Sequence, residues 1–303
     1  MAKIVVTNPM GLTDQQKERL NKLGEVKYFD SHPNSPEEWL ERCKDFDIVC
    51  SWMYGLREKY SELKNTYISV PFVGVSSFAD AKILEENKST ISNSPGSNSN
   101  AVTEWTIYMI LLGMRNIDKY INTQQALSLP LPFPSIGLAG KNITILGEGN
   151  IGKRVGKVCQ AFEMNVTYFK RGDDLLNSVK DADITVDTLS SNPSTNGLLN
   201  KAFFSSLKKG SMFISVTVDS IVDIDSMLEA IDNGTLSFVA HDVMNAKPAD
   251  VTHPLYLKLK SYKNVFATPH ISAFTDVTTK KGNDMMIENI EAWLIGKPIN
   301  VYK

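Results

Sequence analysis

Asn142-Ile-Thr-Ile-Leu-Gly-Glu-Gly-Asn-Ile-Gly152 is the stretch whose reading decides the fold. Asn142 to Leu146 has the short apolar pattern of a buried strand, and Gly147, Gly149 and Gly152 follow it at G-x-G-x-x-G spacing. A helix is expected to open at once and run to about Phe162, with the next strand at Asn165 to Phe169. In such a unit the first glycine permits a tight turn and the second lets the backbone approach a pyrophosphate. The third permits close helix–strand packing, and the helix N-terminus offers unpaired N–H groups to an anion. A strand–turn–helix that uses its glycines only for geometry is the alternative. The strand, loop, helix and second strand in succession favour dinucleotide binding through Gly147, Gly149, Asn150, Ile151 and Gly152.

About twenty residues on, at the end of the second strand, a site that accepts only NAD places an acid against the ribose hydroxyls. Here that place reads Lys170-Arg171. A carboxylate would repel the 2′-phosphate of NADP, whereas Arg offers a two-pronged fork and Lys a point charge. The residues therefore predict NADP(H), with NAD(H) the lesser partner. Two exposed cations at a strand end are the alternative, and Asp173 and Asp174 stand close by.

Outward from this unit, apolar runs alternate with amphipathic helical patterns, which predicts an α/β protein with parallel sheets. Ile4-Val5-Val6, Val26 to Phe29, Ile48 to Cys50 and Tyr67 to Val70 read as strands of a first domain of about one hundred residues. A helix spans Thr13 to Leu23, with Thr13 as N-cap. The polar run Ser92 to Asn100 reads as a loop or hinge. An apolar helix from Ala101 to Met114 follows, and then a proline-rich connection at Leu129 to Pro134. Beyond the glycine loop, Ile184 to Thr188, Met212 to Val216, Phe238 to Ala240 and Val265 to Thr268 continue the strand pattern.

Composition bounds the rest. The 303 residues suffice for two domains, with 42% hydrophobic and 22% charged residues in the ordinary globular range. A net charge of −2 gives no reason to expect nucleic acid. Cys43, Cys50 and Cys159 are too few and scattered for a disulfide framework or a metal site, and read as reduced thiols of a cytoplasmic protein. No leader is expected at the Met-Ala-Lys start. The longest apolar run, Trp105 to Met114, is far short of the ~20 residues of a membrane span. His32 and His253, each before a proline, read as exposed loop residues, and no metal cluster is expected.

From about residue 70 onward the chain resembles the D-2-hydroxyacid dehydrogenase family. The matching stretches are Asn93 to Glu104, Leu138 to Gly152, Asn192-Pro-Ser-Thr-Asn-Gly-Leu-Leu-Asn200 and Thr268-Pro-His-Ile-Ser-Ala-Phe-Thr275. The resemblance implies two Rossmann-like domains, with residues 1–99 and 276–303 forming a substrate domain around an inserted cofactor domain, 100–275. It implies hydride transfer between a nicotinamide and a 2-oxo or 2-hydroxy acid in a cleft between the domains. His270 matches the proton-donating histidine, a role suited to an imidazole near neutral pH. Asp242 matches an acid that contacts the nicotinamide carboxamide, with a loop acid capping nearby N–H groups as the alternative. Thr217 falls in the matching cofactor stretch, and Gly74 and Val75 in the loop that receives the substrate carboxylate. The family's helix at 101–114 packs across a two-fold axis, so a homodimer is expected.

Two departures stand out. Where the family reads N-[TV]-[AS]-R-G, this chain has Ser215-Val-Thr-Val-Asp219, so Val218 replaces the arginine that binds the substrate. Lys247, before Pro248, replaces the glutamate that pairs with the histidine, and beside His270 it would disfavour the imidazolium. Lys247, Arg57 or Arg115 then become candidates to hold the substrate anion. The leading expectation is an NADP(H)-dependent oxidoreductase. The second is a catalytically impaired NADP(H)-binding relative acting as a regulatory module.

Overall fold

The computed structural model describes residues 1–117 and 135–303; the expected proline-rich connection at 129–134 lies outside them. Two compact units result, Met1–Asn98 with Phe274–Lys303, and Ser99–Ala273.

In the first unit, strands β1 (Ala2–Val6), β2 (Gly24–Tyr28), β3 (Ile48–Cys50), β4 (Tyr67–Ser69) and β5 (Thr90–Ser92) form a parallel sheet in the order β2-β1-β3-β4-β5. Side chains alternate across a strand, and each face builds its own core. Ile4, Val6, Ile48 and Tyr67 meet Met286, Ile287 and Ile290 of the helix Asp276–Leu294. Val5, Val49, Ile68 and Ile91 meet Trp39, Leu56 and Leu84. Thr13 caps the helix Asp14–Leu23 as expected. Its hydroxyl accepts from the Gln16 N–H while the Gln16 side chain accepts from the Thr13 N–H, a reciprocal capping box.

The second unit holds β6 (Asn142–Leu146), β7 (Asn165–Phe169), β8 (Ile184–Asp187), β9 (Ser211–Ser215), β10 (Leu236–Asp242) and β11 (Val265–Thr268). All six are parallel, in the order β11-β10-β9-β8-β6-β7. Ile143, Ile145, Ile184, Val186 and Ile214 face the helices Ser99–Arg115 and Asn150–Ala161. Leu146, Phe213, Val239 and Val265 face Phe203, Phe204 and Met227 on the other side. The strand order reverses between β6 and β8, and in open α/β sheets ligands bind beyond the carboxyl ends of the strands at such a point.

The expected α/β class with two parallel sheets is the architecture found. Several local expectations are corrected. The polar run at 92–100 is shorter as a loop, because Thr90–Ser92 pairs with β4 and the helix begins at Ser99. The long apolar helix is covered chiefly by its own unit. Met109, Ile110, Leu112 and Met114 are buried there, Trp105, Ile107 and Leu111 are partly buried against the same core, and Tyr108 is exposed. His32 is exposed, but His253 is half-buried as the N-cap residue of the helix Pro254–Lys260. The three cysteines are buried free thiols, and burial pushes Cys50 and Cys159 up to about 12.

Candidate functional site

The glycine loop joins β6 to the helix Asn150–Ala161, and each glycine has a measurable reason. Gly147 has φ +99°, in the region that side chains disfavour. A Cβ on Gly152 would lie 2.1 Å from the Gly147 carbonyl oxygen and 2.9 Å from Thr188 Oγ1, so the loop closes only over glycine. A Cβ on Gly149 would meet nothing within 4 Å, which leaves an open approach above the backbone. Gly149 is also the N-cap residue, without a side-chain cap, so the first N–H groups of the helix are not taken by a capping side chain. Thr188 Oγ1 donates to the Leu146 carbonyl at 2.9 Å and ties the loop to the end of β8 across the switch point. An open, N–H-rich cradle at that point fits the pyrophosphate of a dinucleotide.

At the end of β7 the two nearby acids are turned inward on the backbone. Asp173 Oδ2 accepts from the Lys170 N–H at 2.7 Å, and Asp174 caps the helix Leu175–Val179 by accepting from the Asn177 N–H. Lys170 and Arg171 are exposed. Glu148, inside the glycine loop, places Oε2 2.6 Å from Lys170 Nζ. That hydrogen-bonded partner holds the Glu148 carboxyl below its ordinary range and the Lys170 ammonium above its own.

The carboxyl ends of β8, β9 and β10 carry a buried polar cluster. Ser215, Thr217 and Asp219 alternate with Val216 and Val218, and the polar set points one way. Thr217 Oγ1 and Ser215 Oγ donate to Asp187 Oδ2 at 2.5 and 3.2 Å, and the Leu189 N–H donates to Oδ1 at 3.1 Å. Burial outweighs these bonds and raises the Asp187 carboxyl to about 6. Asp219 Oδ1 lies 2.7 Å from His241 Nε2, and its other oxygen accepts from the Asn245 N–H at 2.8 Å. Thr217 thus turns its hydroxyl to Asp187. Val218 packs against the apolar core instead.

Asp242, wholly buried at the end of β10, has both oxygens engaged. Oδ1 accepts from Thr268 Oγ1 at 2.6 Å and the Ile271 N–H at 3.0 Å; Oδ2 accepts from the Ser272 N–H at 2.9 Å. This is the capping geometry, and it fastens the loop that presents His270. The His270 ring is half-buried on a backbone of φ +55°, with Nδ1 3.0 Å from the Ala246 carbonyl oxygen. A carbonyl only accepts, so Nδ1 carries the proton and donates.

The substitute cations are dispersed. Lys247 is exposed and helps to lower Asp250, whose main stabilising partner is the Thr252 hydroxyl. Arg115 donates Nε–H to Ser135 Oγ at 2.7 Å at the C-terminal end of its helix. That turn lines a cavity with Lys141, Asp183 and Ser211, which mark the amino ends of β6, β8 and β9, the edge opposite His270. Arg57 is exposed in the first unit on the helix Met53–Lys59. Gly74 is exposed there, while the Val75 side chain is buried and its N–H donates to the Val73 carbonyl. Among the described residues no group of three His, Cys, Asp or Glu could hold a metal, and no helix is long and apolar enough to cross a membrane.

Residues 107–272 match the family described as D-isomer specific 2-hydroxyacid dehydrogenase, NAD binding domain. The chain belongs to this family. Membership makes it an NAD(P)-dependent oxidoreductase of the 2-hydroxyacid dehydrogenase type. It is 26% identical to the hydroxypyruvate reductase of Blautia hydrogenotrophica, over 99% of each chain. It is 27% identical to the glyoxylate reductase of Aeropyrum pernix, over 68% of this chain and 67% of that one. An acyclic imino acid reductase, solved in complex with NADPH and D-Arg, shares the fold with a TM-score of 0.85 at 23% identity, over 99% of this chain and 100% of that one.

Sequence reasoning singled out the glycine loop, Lys170, Arg171, Thr217, Asp242 and His270, all of which lie in the second unit. It passed over Glu148, Asp187 and the Asp219–His241 pair. A signal for the pair was present: Asp219 stands at the glycine of the family pattern, and His241 directly follows the apolar run Phe238 to Ala240.

Proposed function

We propose that this chain is an NADP(H)-dependent oxidoreductase that interconverts a 2-oxo acid and its 2-hydroxy acid. The observation that carries the reading is the open glycine cradle beside a cationic strand end whose acids are occupied by backbone N–H groups. Gly147, Gly149, Asn150, Ile151 and Gly152 hold the pyrophosphate, and Lys170 with Arg171 receives the 2′-phosphate. A bound nicotinamide supplies the hydride. His270 donates the proton: with Nδ1–H fixed on the Ala246 carbonyl, Nε2 is the nitrogen that is protonated and deprotonated. That carbonyl takes over the orienting task of the family's glutamate, so Lys247 in the glutamate's place does not leave the ring unsupported. Asp242 acts as a positioning residue for the His270 loop, through Ile271 and Ser272.

Candidates for the substrate's carboxylate are Lys247 in the second unit and, in the first unit, the exposed backbone at Gly74 beside Val75. Without the family's arginine, turnover of simple 2-oxo acids is slow. The proposal includes a homodimer, which light scattering at micromolar concentration tests, and a cytoplasmic location.

A second reading has its own observation. Val218 packs against apolar core at the arginine's place, as expected of a relative that binds NADP(H) and regulates without turnover. The deciding experiment follows NADPH absorbance with glyoxylate, hydroxypyruvate and larger 2-oxo acids, each with and without an amine that converts it to the imine. Turnover that disappears in His270→Asn supports the enzyme. Tight NADPH binding without turnover of any compound supports the regulatory module.

A further inference from the structure

The glycine loop contains a carboxylate that the cofactor reading leaves unused. Residue 148 lies between the two glycines nearest the phosphates, and the Gly147 N–H donates to the Phe169 carbonyl at 3.0 Å, pinning the loop against the end of β7. Any long side chain at 148 is thereby held next to residue 170. Glu148 reaches across and forms a 2.6 Å ion pair with Lys170. The two side chains are 33% and 58% exposed, so the pair is solvated and opens readily. Meanwhile Asp173 holds the Lys170 backbone N–H, leaving the side chain as the part free to swing.

We propose that Glu148 is a specificity-determining residue, whose carboxylate competes with the cofactor's 2′-phosphate for Lys170. The inference rests on the NADP(H) reading of Lys170 and Arg171. Without cofactor the three side chains carry a net charge of +1, because Glu148 cancels Lys170. NADP(H) must displace Glu148 from Lys170 before its phosphate gains the full cation pair. NAD(H) meets no such competition, and its ribose hydroxyls can donate to a carboxylate, the task an acid at the strand end performs in NAD-specific sites. Glu148 supplies that carboxylate from the loop instead. The chain therefore prefers NADP(H) less than Lys170-Arg171 alone would dictate.

The test is a double-mutant cycle read by calorimetric binding, independent of turnover. NADPH and NADH affinities are measured for wild type, Glu148→Gln, Lys170→Ala and the double variant, and the quantity compared is the ratio of the two. Using a ratio cancels the general benefit that removing a negative charge gives any phosphate. Glu148→Gln is expected to raise the NADPH:NADH preference by at least about threefold, the size of an exposed ion pair. In the Lys170→Ala background the same change is expected to raise the ratio clearly less, by only the share that the ribose hydroxyls' contact with Glu148 contributes. An equal rise in both backgrounds would mean that Glu148 repels the phosphate directly, which overturns the competition. If Lys170→Ala lowers the preference but Glu148→Gln does not raise it, the NADP(H) reading stands and this inference falls. If Lys170→Ala leaves the ratio unchanged, both fall together.

Discussion

Replacing Asp187 by Asn tests whether the second unit is built around an acid that resists ionisation. Asp187 has no exposed surface, and burial raises its carboxyl from 3.8 to about 6. Because the folded value lies above the unfolded one, the protonated form is favoured in the fold. Its contribution is fully present below about pH 4 and is lost as pH rises through about 6. A difference of about 2 pH units corresponds to about 3 kcal/mol of stability lost by pH 8, with no solvent screening to reduce it. Asn keeps the shape and cannot ionise. Its Oδ1 can accept from the Leu189 N–H, and its amide can donate to Ser215 and Thr217, whose hydroxyls rotate to accept.

Asp187→Asn is therefore expected to stabilise the Ser99–Ala273 unit at pH 8, by about 1–3 kcal/mol after imperfect repacking of the hydroxyls, and to do little at pH 4.5. Amide hydrogen exchange in β8 and β9 reads this unit alone, and comparing variant with wild type at equal pH removes the intrinsic pH dependence of exchange. Equal destabilisation at both pH values would refute the reasoning. It would show that Asp187 is ionised at low cost, held by its three donors more strongly than burial opposes it.

Gly152→Ala places a methyl 2.1 Å from the Gly147 carbonyl, so it is expected to cost about 1–3 kcal/mol and to abolish the thermal shift given by NADPH. Asp242→Ala leaves the buried Ser272 N–H without its acceptor. It is expected to lower kcat tenfold or more, by about 1.4 kcal/mol, with a smaller change in KM, in steady-state assays; an unchanged kcat would remove Asp242 from the positioning of His270. Val218→Arg with Lys247→Glu is expected to raise NADPH-dependent reduction of glyoxylate above wild type, and His270→Asn in that background to remove the gain. A wild type already at ordinary dehydrogenase rates would show that another cation holds the carboxylate.

What was legible in the sequence was periodic or glycine-bound. β6, its loop and β7 were placed to within a residue, because a buried parallel strand is a continuous apolar run and the loop geometry admits only glycine at 152. β5 was missed because Thr90–Ser92 is three residues long with Ile91 its one apolar residue, and is a strand only by pairing with β4. The helix 99–115 is apolar nearly all round, and such a pattern does not tell burial inside its own domain from burial against a second copy. The orientation of side chains could not be read at all. Whether Asp173 faced a ribose or the Lys170 N–H, and whether Asp242 faced a carboxamide or the His270 loop, depended on turn geometry set several residues away.

The departures at the end of β9 are best understood together. A missing arginine by itself would leave a hole lined for a charge, with partners unpaired at a cost of about 1–3 kcal/mol each. Val218 is instead half-buried and packed against the apolar core. On either side of it the strand end carries hydroxyls and an acid, and each finds a buried partner: Ser215 and Thr217 on Asp187, and Asp219 on His241. Asp219 occupies the family's glycine position and His241 precedes Asp242, so the pair bridges the two segments flanking the assigned cofactor residues. Removing Asp219 alone would strand His241, whose Nδ1 already lacks a partner among the described residues. The segment has thus been rebuilt as a buried polar network in which every new side chain has a partner and His241 Nδ1 is the atom left over among the described residues. Restoring Arg at 218 brings back a charge but not the glycine-flanked backbone around it, so the gain expected from Val218→Arg is partial, and adding Asp219→Gly with His241→Leu should enlarge it.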